Sequence, residues 1–178
     1  MHREVTVTEP KPGLAANRAE ALHADPAADW VSTLFVFDAE CIVYSAGKQR
    51  RIAADQFILG AYENVLAAGE ILEAIRIPRL PEGSRCGYYK VCRKTGEFAS
   101  ALGAVIHDPS RNRLRAVIGA THGKPIVIPD GKTLLGRDKS LDDQAILAVL
   151  DRNNIRDRTA RQQQVAALTR AYRQAVLP

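Results

Sequence analysis

The chain has 178 residues, 46% of them hydrophobic and 25% charged, which is enough to bury the core of one ordinary domain or two small ones. Its net charge of +5 is spread over separated cations such as Arg50–Arg51 and Arg111, Arg113 and Arg115, which argues against a nucleic-acid-binding face. Three cysteines without a CxxC pair argue against a disulfide framework or a structural zinc, and the absence of a long apolar run or a signal-peptide core points to a cytoplasmic protein without a membrane span.

Residues 1–21 are polar and interrupted by Pro10, Pro12 and Gly13, and are expected to be extended or poorly ordered. Asp25 followed by Pro26 is a helix-start signal, so a helix is predicted over 27–37 with Asp25 as its N-cap. Residues 40–45 read as a strand, 46–49 as a turn and 50–53 as the returning strand. Residues 54–59 read as a short loop or helical turn ending at Gly60. Residues 70–77 read as a strand halted by Pro78.

The segment 78–84 is read as a linker. This places a boundary between a first unit, 1–80, and a second, 81–178. The second unit opens with three predicted strands, 87–93, 98–107 and 113–121. Leu114, Ala116 and Ile118 share one face of the third. Two helices follow, 141–151 with Ile146, Val149 and Leu150 inward, and 159–176 with Val165, Leu168, Tyr172 and Val176 inward. Gln162–Gln164 and the arginines are expected to face water. The fold class is therefore α+β, a three-stranded antiparallel sheet with helices on one face.

No nucleophile elbow, HExxH, Walker loop or GxGxxG is present. Asp25 and Asp29 are paired acids at a helix start, which serve either the helix dipole or a ligand's hydroxyl or ring N–H. His23, alone, is more simply a satisfied polar side chain. In the tract 88–98, strand alternation puts Tyr88, Lys90, Cys92 and Lys94 on one face and Tyr89, Val91 and Arg93 on the other. The lysines either protect a sheet edge or hold positive charge at a bound cofactor.

Three tracts, HADPAADW (23–30), ADQFILGAYENVLAAGEILEAIRIP (54–78) and YYKVCRKTGEFASALGAVI (88–106), together resemble the FAD-binding medium subunit of the xanthine dehydrogenase and aerobic carbon monoxide dehydrogenase family of molybdenum hydroxylases. The resemblance runs from about residue 17 to the C-terminus. It implies FAD as cofactor, with an iron–sulfur small subunit and a molybdopterin large subunit as partners. Electrons would pass from molybdenum through [2Fe–2S] clusters to the flavin and on to an outside acceptor, with no bond-making on the organic substrate here. Carried over residue by residue, it implies that Asp29, Leu72 and Lys90 contact the flavin side of the cofactor. Ile71 and Tyr89 would flank them, and the Lys90 cation would favour a reduced, anionic flavin.

The sequence departs from the family pattern at the diphosphate. The family's AGGxS loop is not found. Asn17-Arg18-Ala19 keeps the lead-in to a TxGGS loop, but no Gly-Gly pair follows before His23, and Glu20 brings a negative charge. The resemblance thus implies a chain truncated at its N-terminus that grips FAD weakly by itself. The alternative is a non-catalytic scaffold subunit that no longer binds FAD.

Overall fold

The structure is a computed structural model that describes residues 4–7, 25 and 27–177. In chain order the elements are β1 (Glu4–Val7), α1 (Asp29–Val36), β2 (Glu40–Ser45), β3 (Lys48–Ala53), α2 (Ala54–Phe57), β4 (Ile58–Gly60), β5 (Glu63–Asn64) and β6 (Ile71–Pro78). There follow β7 (Arg85–Val91), β8 (Ala101–Asp108), β9 (Arg113–Gly119), β10 (Ile126–Ile128), α3 (Asp143–Arg152) and α4 (Arg158–Val176). The architecture is α+β, as expected. One antiparallel sheet has the order β1-β6-β2-β3 and a second the order β10-β9-β8-β7, with β4 and β5 forming a small ribbon.

The N-terminal stretch expected to be extended or poorly ordered is described only at Glu4–Val7, which pairs with β6 from Glu4↔Pro78 to Val7↔Ile75. The rest of it, with His23 and Pro26, lies outside the described residues. Asp25 is not the N-cap of α1. Its carboxylate accepts from the Ala27 N–H at 2.8 Å and its carbonyl from the Ala28 N–H, a local turn that delays the helix until Asp29. Ala28 occupies the cap position and offers no side-chain acceptor.

The β2–β3 hairpin turns on two residues, Ala46 at φ 45° and Gly47 at φ 79°. Both lie in the left-handed region that a two-residue hairpin turn requires, so Lys48 and Gln49 join the strand rather than the loop. β3 keeps its outer edge charged, with Lys48, Arg50 and Arg51 exposed.

The second sheet has a fourth strand, β10, that the sequence pattern did not single out; it is three residues long and pairs with β9 from Ile126↔Ile118 to Ile128↔Ala116. β8 explains how the molecule holds together. Leu102, Ala104 and Ile106 belong to an apolar cluster with Val31, Leu34 and Phe35 of α1. The intervening Val105 belongs to another with Ile146 and Leu150 of α3 and Leu168 of α4. This strand is covered on both faces, which is why it reads as an unbroken apolar run instead of an alternating one.

Two glycines set the distance between α4 and its sheet. A Cβ at Gly87 would stand 1.8 Å from the Ala171 carbonyl oxygen, and one at Gly103 2.6 Å from the Leu168 Cα. Gln164 does not face water; it is buried, and its amide donates to the carbonyls of Gly119, at 2.9 Å, and Ala120. It lies one helical turn before Leu168, in the stripe that meets the sheet, and the amide satisfies carbonyls at the end of β9.

Candidate functional site

Asp29 opens α1, and Lys90 is the penultimate residue of β7. Strand alternation turns Tyr88 and Lys90 toward α1 and Tyr89 toward α4, where the Arg170 guanidinium stands 4.6 Å above the Tyr89 ring. The Tyr89 side chain therefore lies on the opposite face of the strand from Lys90 and is not part of the cleft lining, where it was expected to flank the site. The Lys90 Nζ lies 3.0 Å from Asp29 Oδ1 and 3.1 Å from Oδ2. The lysine side chain is 19% exposed and the aspartate 54%. With the aspartate more than half exposed to solvent screening, the pair is worth on the order of 1 kcal/mol.

The pair lines a cleft of about 400 Å³ with Ala28, Trp30, Thr33, Gly96, Glu97 and Phe98. The loop between β7 and β8 closes one side. It turns at Gly96, whose φ of 89° suits glycine, and is pinned where Ser100 donates through its N–H and hydroxyl to the Val91 carbonyl. Phe98, expected to begin a strand, lies before β8 and is 66% exposed at the cleft. The buried Trp30 indole N–H has no hydrogen-bond partner among the described residues, and the Tyr88 hydroxyl lies behind the cleft near the Asp29 carboxylate. Burial, and then the nearby Asp29 carboxylate, push the Tyr88 phenol above its ordinary pKa, so it stays a donor.

Leu72 is placed differently. It sits in β6 opposite Val43, is 6% exposed, and shares the apolar cluster of Val31, Leu34 and Phe35. The structure joins Asp29 to Lys90 and leaves Leu72 in the core, outside the residues that line the cleft. Ile71 is exposed at the start of β6 and is not part of the lining either. Trp30 and Phe98 were missed as site residues. The signal for Trp30 was its place beside Asp29; nothing in the sequence alone separated Phe98 from a strand residue.

Residues 20–80 match the family model for the FAD binding domain in molybdopterin dehydrogenase. These residues are a FAD binding domain of the molybdopterin dehydrogenase type. It is 30% identical over 126 residues to the nicotine 6-hydroxylase medium subunit of Paenarthrobacter nicotinovorans, covering 69% of this chain and 44% of that one. It is 33% identical over 132 residues to the carbon monoxide dehydrogenase medium chain of Afipia carboxidovorans, covering 71% and 46%. The chain thus spans about half the length of the relatives it matches. In fold it resembles the solved carbon monoxide dehydrogenase of Hydrogenophaga pseudoflava, with a TM-score of 0.72 and 20% identity over 95% of this chain and 64% of that one.

The cofactor of this family is FAD. The cleft fits the ring half of that molecule better than the whole. Its volume is at the lower end of the roughly 300–1,000 Å³ usual for small-molecule sites. Trp30 and Phe98 offer aromatic walls. The Trp30 N–H and Lys90 offer donors to carbonyl and ring-nitrogen acceptors, and Asp29 an acceptor to a ring N–H. Among the described residues no helix is long and apolar enough to cross a membrane.

Proposed function

We propose that this chain is the flavin-ring-holding part of the medium subunit of a cytoplasmic molybdenum hydroxylase complex, which relays electrons from molybdopterin and [2Fe–2S] clusters to an outside acceptor. An iron–sulfur small subunit and a molybdopterin large subunit are its partners in this reading. The observation that carries it is the convergence of Asp29 and Lys90, 61 residues apart in sequence, at one cleft beside Trp30 and Phe98. Bound there, FAD supplies the electron-accepting ring. The chain's own residues orient and bias it: Asp29 accepts a hydrogen bond, Lys90 places a cation where negative charge develops on reduction, and the aromatics exclude water. Leu72 contributes from behind, through the packing that seats α1.

The missing Gly-Gly pair before His23 removes the backbone cradle for a diphosphate, and Glu20 opposes its charge. Ring contacts then dominate affinity. Trp30, the chain's sole tryptophan, reports on the cleft, so titration with FAD and with riboflavin is read by its quenching. Equal affinity for the two is expected. Lys90→Ala is expected to weaken both about tenfold, the loss of one charge-assisted hydrogen bond. Preference for FAD by orders of magnitude would contradict the missing cradle. Failure of either flavin to bind, alone or in the assembled complex, would favour the scaffold reading.

A further inference from the structure

A second and larger cavity, of about 1430 Å³, shares no lining residue with the flavin cleft. One wall is α4 along its whole length. Arg158, Arg161, Gln162, Val165, Ala166, Thr169, Arg170, Arg173 and Val176 recur at three- and four-residue steps down a 19-residue helix, a stripe some 28 Å long. The opposite wall comes from the start of β9, the segment 132–143 and Leu147 of α3.

The floor and the rim differ in character. Leu114, Leu135, Leu141, Val165, Tyr172 and Val176 supply apolar surface, and the Thr169 hydroxyl has no hydrogen-bond partner among the described residues. Around them stand eight lysines and arginines against two aspartates, Asp138 and Asp143, a surplus of six cations. When Asp38 and Asp151, which pair with three of these cations, are counted in, a surplus of four remains here out of the chain's +5. Several of the cations are already committed: Arg161 and Arg156 to Asp151, Lys132 to the Asn112 carbonyl and Arg113 to Asp38. Lys139, Arg158 and Arg173 have no carboxylate partner among the described residues and are exposed.

A groove above the ~1,000 Å³ reached by small-molecule sites, with an apolar floor and a cationic rim, suits an extended macromolecular ligand whose charge is opposite. We infer that it is a docking site for an acidic amphipathic helix of a partner protein, with apolar residues at every third or fourth position on the floor and glutamates or aspartates toward Arg158, Arg173 and Lys139. The inference does not depend on flavin binding at the other cleft.

The test uses the full chain and a labelled peptide of about 18 residues, long enough to match the stripe, with leucines at helical spacing and glutamates elsewhere. Fluorescence anisotropy should show binding that weakens about tenfold when salt is raised from low to physiological strength. The same peptide with lysine for glutamate should not bind. The double variant Arg158→Glu, Arg173→Glu, on exposed positions whose folding circular dichroism can verify, should weaken the acidic peptide at least tenfold. Three results would overturn the inference: no binding of the acidic peptide, equal binding of its lysine counterpart, or equal affinity of the double variant. Self-association of the chain that the double variant abolishes and the peptide does not compete with would assign the groove to a second copy instead.

Discussion

At the residue scale, the electrostatics of the molecule separate into pairs that fasten and a pair that waits. Arg50 and Glu70 fasten: Nε and a terminal nitrogen of the guanidinium reach the two carboxylate oxygens at 2.8 and 2.6 Å, tying β3 to the segment before β6. Chiefly through that hydrogen bond, and next through the Ala67 N–H, the Glu70 carboxyl is held at about 2, below its ordinary 4.5. A depressed folded-state value stabilises the fold above the unfolded value and loses that contribution as pH falls from about 4.5 toward 2. Glu70→Gln is therefore expected to be less stable than the parent near neutrality and equal to it near pH 2, measured by urea unfolding across that window. Lys90 and Asp29 make the contrasting pair: the aspartate is more than half exposed at the cleft, and a ligand there would compete for both charges.

At the element scale, the position of α1 decides the Asp29–Lys90 cleft and the position of α4 decides the groove. The C-terminal end of α1 is held by Arg115, a buried guanidinium that donates from Nε to the Phe35 carbonyl at 3.1 Å and pairs with Asp38 at 2.6 Å. A cation at that end also complements the helix dipole. Asp38 itself sits at φ 54° and takes Arg113 as a second partner. This anchor lies on β9, so a residue of the second sheet fixes the helix that presents Asp29 to Lys90. Opposite, α4 approaches its sheet only because Gly87 and Gly103 have no side chains. For Gly103→Ala the added methyl meets backbone at Leu168, which cannot rotate away. A loss of about 1–3 kcal/mol is expected in urea unfolding, the usual cost of overpacking.

At the scale of the whole molecule, the division at residues 80/81 stands as a proposal about two sheets and not about two cores. The apolar cluster of Val31, Phe35, Cys41, Phe57 and Leu72 includes Leu102, Ala104, Ile106 and Val117 from beyond that point. Packing that crosses the division couples the stability of the two sides. Trp30 reports on the first and helical circular dichroism, dominated by α4, on the second. Their urea transitions are expected to coincide; two separated midpoints would show that the halves unfold independently.

The sequence by itself determined the α+β class, the family resemblance and the period of the longer elements, though not the short strands β4, β5 and β10, because strand alternation, helical spacing and three ordered tracts are local properties of the chain. It also placed Tyr88 with Lys90 on one strand face and Tyr89 on the other, which the packing repeats. Only the tertiary structure decided that Asp25 turns on itself and leaves α1 uncapped, that Gln164 is buried against β9, that Leu72 lies in the core while Trp30 and Phe98 line the cleft, and that scattered cations gather around one groove. The reason is common to all four. Each depends on which groups compete for the same donor, acceptor or volume; for Asp25 the competitors are the adjacent N–H groups of Ala27 and Ala28, and for the other three they come from distant segments, of which neighbours along the chain carry no record.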